Sequence, residues 1–335
     1  YSYKIVNNYS ELQETLKKKT ELAVVITSEG AHAFFDNAML AGRLNKKEMK
    51  DRLTANILKV KQWENPPFFM NLMHHFYNEL GGHAKSLDGM VTNVLNQQKG
   101  LEAGLEGLGI KALKEMLSDS NGKRILIDTK HMSVKARIEY YDWIRSNNYI
   151  HKSSQIPVIC SHTGVSGYKT LKGSKIKPDT AAKKKKSYFF NWGINLSDEE
   201  INIIHSSKGL AGLMIDTGKL GGGAFLAKVN KTKDDKERKD LYMKMIWDNL
   251  FQTIRAVGSK SAWDVFSLGT DYDGAINHIE FYDDATKLPN LYDDLYEYLD
   301  RTKHEKKLWH GYKPEELLDK LFRSNVMDFM ERNFV

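Results

Sequence analysis

Six short apolar runs, separated by longer amphipathic stretches, constrain this chain more than any other feature. They are LAVVITSE (Leu22 to Glu29), FFMNLMH (Phe68 to His74), RILIDTKH (Arg124 to His131), PVICSH (Pro157 to His162), LAGLMID (Leu210 to Asp216) and DVFSLGTD (Asp264 to Asp271). Helical patterns lie between them. Val134, Ile138 and Tyr141 set one apolar stripe at helical spacing. SDEE (Ser197 to Glu200) is a capping box, in which Ser197 caps and Glu200 bonds back. Pro314 falls in the first turn of a last helix, where its missing N–H has no partner to lose. Strand-helix alternation predicts parallel strands joined by crossover helices. Runs apolar on both faces predict a sheet buried on both sides.

The remaining composition removes several function classes. At 335 residues and 41% hydrophobic, the chain can bury one large core. No apolar run reaches the eighteen residues of a spanning helix. The net charge of +7 is local, because KTLKGSKIKPDTAAKKKK (Lys169 to Lys186) holds eight lysines and a single acid, Asp179. A nucleic-acid protein spreads basic residues over a face and interleaves aromatics, so residues 169–187 read as a solvated lysine-rich loop insert. LGGGAF (Leu220 to Phe225) lacks the Lys-Ser/Thr of a phosphate loop. No repeat and no Pro-rich linker interrupts the chain, so residues 1–335 are expected to form one domain. The lone Cys160 excludes an internal disulfide framework and favours a reducing compartment, with the cytoplasm as the expectation. YSYKIVNNYS has no basic region followed by an apolar core, hence no signal-peptide pattern.

Five of the six runs deliver a residue that binds metal or moves a proton: Glu29, His74, His131, His162 and Asp271. Each alone has a bland reading as a cap, a turn acid or a core histidine. Their shared position decides against that, since ligands of parallel α/β proteins sit at the C-terminal ends of strands. Neutral imidazoles with one carboxylate suit zinc, and a catalytic zinc keeps three protein ligands and an open position. Glu29, His131 and His162 make such a set. A zinc-bound water ionises near pH ~7. Asp271 can take and return its proton, and His74 can polarise a scissile carbonyl or steady the oxyanion.

SEGAHAF (Ser28 to Phe34), LIDTKHMS (Leu126 to Ser133), PVICSHTG (Pro157 to Gly164) and LGTDYDG (Leu268 to Gly274) resemble, in this order, motifs of the membrane dipeptidase (renal dipeptidase) family. The resemblance runs from Glu21 to Phe334 and is distant between motifs. It implies an α/β fold of the (β/α)8 TIM-barrel type, as in amidohydrolase-like metal hydrolases. It implies two zinc ions bridged by a glutamate, which Glu29 matches. His131 and His162 match the two histidines of one zinc, His74 the histidine on the substrate carbonyl, and Asp271 the acid near the bridging water. The implied activity is zinc-dependent hydrolysis of small amide bonds, most specifically of dipeptides. A homodimer is common in the family.

Two departures qualify these expectations. The family's other zinc takes a His-x-Asp pair on the first barrel strand, and this sequence has none. Six strands against the barrel's eight agree with that, so the first two β/α units are expected to lie before Tyr1. One zinc site is then complete in this chain and the other lacks two ligands. The family also places an arginine about a dozen residues past the second zinc histidine, for the substrate carboxylate. Here Lys172 and Lys175 occupy that region, and a lysine is a point charge rather than a bidentate fork. Lactone or N-acyl hydrolysis on the same scaffold, or a degenerate non-catalytic binder, therefore stay open beside the dipeptidase reading.

Overall fold

A computed structural model describes residues 2–87, 95–147, 155–174, 188–274 and 276–335. Most of the lysine-rich insert, Lys175 included, lies outside the described residues. The chain divides into two compact units, Tyr1–Ile159 with Asp328–Val335, and Cys160–Met327. The fold is mixed α/β with parallel strands. All six expected runs contain a strand, and one strand was not expected.

The first unit opens with that extra strand. β1 (Ser2–Ile5) pairs in parallel with β2 (Glu21–Val24) through α1 (Tyr9–Leu16). All four residues of β1 are exposed, so no apolar run betrays it. After β2 the chain runs beside β3 (Phe69–Asn71): Phe68 N–H donates to the Ile26 carbonyl and Asn71 N–H to that of Ser28. This ladder delivers Glu29 to the end of β3. β3 pairs in parallel with β4 (Leu126–Asp128), with Phe69 opposite Leu126 and Asn71 opposite Asp128. Asp128 in turn pairs with Ile159, the first residue of β5 (Ile159–Thr163). Ile125, Leu126 and Ile127 are all buried, as a strand covered on both faces requires.

Helices α2 (Lys46–Lys61), α3 (Gly107–Leu117) and α4 (Val134–Ser146) belong to this unit. Asn45 and Glu48 form a capping box at the start of α2. Its last residue, Lys61, is buried and donates to the carbonyls of Glu115, Ser118 and Ser120 at 3.0, 2.8 and 2.9 Å. One ammonium thus satisfies carbonyls at and beyond the end of α3 that the helix itself leaves without donors. Burial holds the Lys61 ammonium below the usual lysine value. The chain's last residues close the same core, with Phe329 and Phe334 packed around Phe68 at ring separations of 6.0 and 4.7 Å.

In the second unit β5 continues as Cys160–Thr163, and Met214 N–H donates to the Thr163 carbonyl at 3.0 Å just past β6 (Leu210–Leu213). β6 pairs in parallel with β7 (Phe266–Leu268), Ala211 opposite Phe266 and Leu213 opposite Leu268. Side chains cannot fit where these strands converge. A Cβ on Gly212 would lie 1.9 Å from the Ser161 carbonyl oxygen, and one on Gly269 2.0 Å from the same atom. α5 (Asp198–Ser206) starts at the expected box: Ser197 N–H donates to Glu200 at 3.0 Å and Glu200 N–H to Ser197 at 3.4 Å. The long α6 (Asp235–Val257) buries Trp247 and Phe251 against Trp263. Pro314 stands in the first turn of the Pro314–Asp319 helix, as its sequence predicts. Among the described residues no helix is long and apolar enough to cross a membrane.

Candidate functional site

Glu29, His74 and His131 come together at the strand ends of the first unit. Glu29 follows Ser28, whose N–H bonds Phe69 and whose carbonyl accepts from Asn71, so the backbone ladder fixes where the carboxylate emerges. Gly30 follows it at φ 122°, a conformation that L residues rarely adopt, which swings the chain into the 3-10 turn Ala31–Phe34. Glu29 Oε1 lies 2.8 Å from His131 Nε2 and 3.6 Å from His74 Nε2.

His131 is placed by a turn that Asp128 builds. The Asp128 carboxylate accepts from Lys130 N–H at 2.9 Å, Thr129 N–H donates to the Ile159 carbonyl, and Met132 N–H to that of Thr129. Asn71 Nδ2 holds the Lys130 carbonyl at 3.2 Å. Through this turn His131 takes φ 67°, in the left-handed region, and its ring stays buried. Asp128 is thus a buried hydrogen-bonding acid that shapes the turn carrying the imidazole.

The unit adds histidines that strand-end reasoning did not assign. The His75 ring lies 3.8 Å from that of His74 and 5.0 Å from that of His131. His74 and His131 meet edge to face at 4.7 Å, and His32 stacks on His74 at 6.4 Å. His75 Nδ1 lies 2.7 Å from Ser86 Oγ. Gln97 donates to both the His75 carbonyl and Ser86 Oγ, at 2.7 and 3.0 Å. Only the doubled His74-His75 hinted at this in the sequence, since Ser86 and Gln97 are distant in the chain.

Burial sets the protonation of this group. It holds His131 well below the usual imidazole value, with the Lys130 charge adding to the effect. It lowers His74 as well, against the opposing pull of Glu29. It brings His75 down to about 4, helped by His74. All three are neutral at pH 7, the form in which imidazole binds metal. Imidazole nitrogens with one carboxylate fit a borderline divalent ion such as zinc. Beside His32 lies a cavity of about 770 Å³. Phe35, Met39 and Met49 supply apolar lining there, while Lys46 and Lys50 supply charge.

His162 and Asp271 belong to the second unit. His162 is buried near the end of β5, with Nδ1 2.8 Å from Ser161 Oγ. Its Nε2 lies 3.9 Å from Asp271 Oδ2. Asp271 takes φ 57° in the GTDYDG turn, where Gly274 N–H donates to its carbonyl at 3.0 Å. Lys172 sits in the exposed 3-10 turn Lys172–Ser174 of the same unit.

No family model and no curated protein matches the sequence. Solved structures do match the fold. An amidohydrolase from Pseudomonas aeruginosa aligns with 99% of this chain and 79% of its own, at 17% identity and a TM-score of 0.58. A metallo peptidase from Rhodobacter sphaeroides, solved with a phosphinate mimic of the dipeptide L-Ala-D-Ala, aligns over 99% and 69%, at 16% identity and 0.55. The probable dipeptidase PvdM from Pseudomonas aeruginosa aligns over 99% and 74%, at 15% identity and 0.54. The resemblance carried by the four sequence motifs is therefore met at the level of fold, which this chain shares with amidohydrolase and metallo-dipeptidase structures.

Proposed function

We propose that the chain is a metal-dependent hydrolase of small amide bonds, with zinc as the ion and dipeptides as the leading substrate class, on a (β/α)8 barrel. The observation that carries this is the contact of Glu29 with the buried His131 at 2.8 Å, with the neutral, half-buried imidazoles of His74 and His75 beside it. A carboxylate at an imidazole nitrogen, both at strand ends, is the donor pairing of a hydrolytic metal site. When bound, a zinc ion supplies Lewis acidity and an activated water at neutral pH.

The protein's own residues take the remaining roles. Glu29, His131 and His162 take the ligand roles that the sequence motifs imply. Asp271 accepts the proton of the attacking water and returns it to the leaving amine, so its carboxylate is regenerated each turnover. Ser161 Oγ orients His162 through Nδ1. His74 faces the scissile carbonyl and stabilises the oxyanion that develops on it. The cavity beside His32 takes an apolar side chain of the substrate against Phe35, Met39 and Met49. No arginine follows His162 in the next dozen residues, which favours substrates in which a free carboxylate is not the main handle. N-acyl or lactone hydrolysis is the second reading on that ground.

The test is turnover by zinc-loaded protein against a panel of dipeptides, N-acyl amino acids and lactones. Dipeptide hydrolysis that stops with a chelator and returns with zinc supports the first reading. Zinc-dependent turnover of the other classes alone supports the second. A protein that binds no zinc contradicts both, and leaves a non-catalytic ligand binder.

A further inference from the structure

We propose that His74, His75 and His131 form a three-imidazole site that holds a divalent transition ion within the first unit, without His162. The inference touches the functional reading in sharing His131, His74 and Glu29 with it. Each of the three offers one ring nitrogen, and the three donor atoms lie within 4.8 Å of one another. Glu29 Oε1 stands beside two of them, at 2.8 and 3.6 Å, so a carboxylate is at hand as fourth donor. Three imidazoles and one oxygen suit zinc, cobalt or copper.

His75 separates this site from the set read at the strand ends, and the structure holds it as a ligand is held. Its Nδ1 faces Ser86 Oγ at 2.7 Å, which leaves Nε2 for an ion. Gln97, itself buried, locks that hydroxyl and the backbone on either side of it. It donates to Ser86 Oγ and to the His75 carbonyl, and it accepts from Leu87 N–H at 3.0 Å. A hydrogen-bonded partner on the second ring nitrogen, itself anchored, is how metal-ligating histidines are oriented. The His75 ring has one partner, Ser86, and that partner is itself anchored by Gln97. An ion held by these three imidazoles would supply Lewis acidity in place of the part given above to His74.

The experiment is a cobalt(II) titration of the metal-free full chain, read by ligand-field absorption, with zinc competition to give affinity. The parent is compared with His75→Ala, His162→Ala and Ser86→Ala. The site predicts a larger loss of affinity in H75A than in H162A, beyond the roughly 100-fold upper range of losing an outer partner. It predicts about a 10-fold loss in S86A, where the ligand stays but its anchor goes. Should H75A fail to fold, as judged by its circular dichroism melt, S86A decides alone, and unchanged affinity there overturns the proposal. A loss in H162A that equals or exceeds that in H75A also overturns it. That last result would leave the Glu29, His131 and His162 reading intact. Cobalt binding with no hydrolysis of any substrate would refute the functional reading while sustaining this one.

Discussion

The two units bring different chemistry to their strand ends. The first gathers His32, His74, His75 and His131 around one carboxylate, Glu29, with ring separations down to 3.8 Å. The second presents His162, whose Nε2 lies 3.9 Å from Asp271 Oδ2. Partial burial explains the first: neutral imidazoles tolerate one another at close range, while the Glu29 carboxylate stays exposed to water. It also leaves the group in the protonation state that the proposed metal site requires. The second pairing has the composition of a ligand and a proton carrier. On the proposed reading, the imidazole-rich group and the proton carrier Asp271 thus lie in separate parts of the chain.

The largest effects should separate these roles. His131→Ala removes the imidazole nearest Glu29, and we expect zinc content and hydrolysis to fall together to background, measured by elemental analysis and turnover. Zinc retained at the parent level would break the comparison at its stronger side. Asp271→Asn keeps shape and removes the proton acceptor. It should lower kcat by ~10²–10⁴-fold, the usual scale of acid–base catalysis, with zinc unchanged. Zinc lost along with activity would make Asp271 a ligand and erase the distinction between the units.

How much of this could be read in the sequence follows the same physics. Ile125 to Ile127 announced β4 because a strand buried on both faces must be apolar throughout. His131 was legible only jointly, because Glu29, His74, His162 and Asp271 stand at the same strand-end position while each alone reads as a cap, a turn acid or a core histidine. The extra strand β1 stayed hidden because its exposed residues carry no apolar pattern, and its place depends on pairing with β2. His75 was ambiguous beside His74, since the anchoring by Ser86 and Gln97 comes from residues 11 positions or more away. Lys61 has its role only through the carbonyls of Glu115, Ser118 and Ser120, more than fifty residues away. Local pattern thus revealed elements and strand-end residues, and long-range hydrogen bonding supplied what orients them.

Smaller effects sharpen the contrast further. In the second unit Gly212→Ala drives a Cβ into the Ser161 carbonyl, one residue before His162. Overpacking of this kind costs about 1–3 kcal/mol, to be measured by urea unfolding. Stability equal to the parent would show that β5 and β6 can separate there at no expense, and that His162 is less firmly placed than its strand suggests.

In the first unit the metal-free protein should lose stability as pH falls from about 6.5 to about 4. His75 titrates near 4 when folded and near the usual 6.5 when unfolded, because burial lowers it. Between those values the unfolded chain binds the extra proton, so stability rises with pH across the window and levels off above it. His74 and His131, shifted in the same direction, add to the slope. His75→Gln should flatten the slope, read from unfolding midpoints at pH 4.5, 5.5 and 6.5, and an unchanged slope would remove His75 from the titrating group.

The central claim is that Glu29 and His131 bind the same ion. Anomalous diffraction at the zinc edge, on crystals of zinc-loaded full chain, tests it directly. The account predicts a peak at bonding distance from both Glu29 Oε1 and His131 Nε2, roughly 2.0–2.2 Å from each. A peak away from these two atoms, with Glu29 and His131 still joined only by their hydrogen bond, would contradict it.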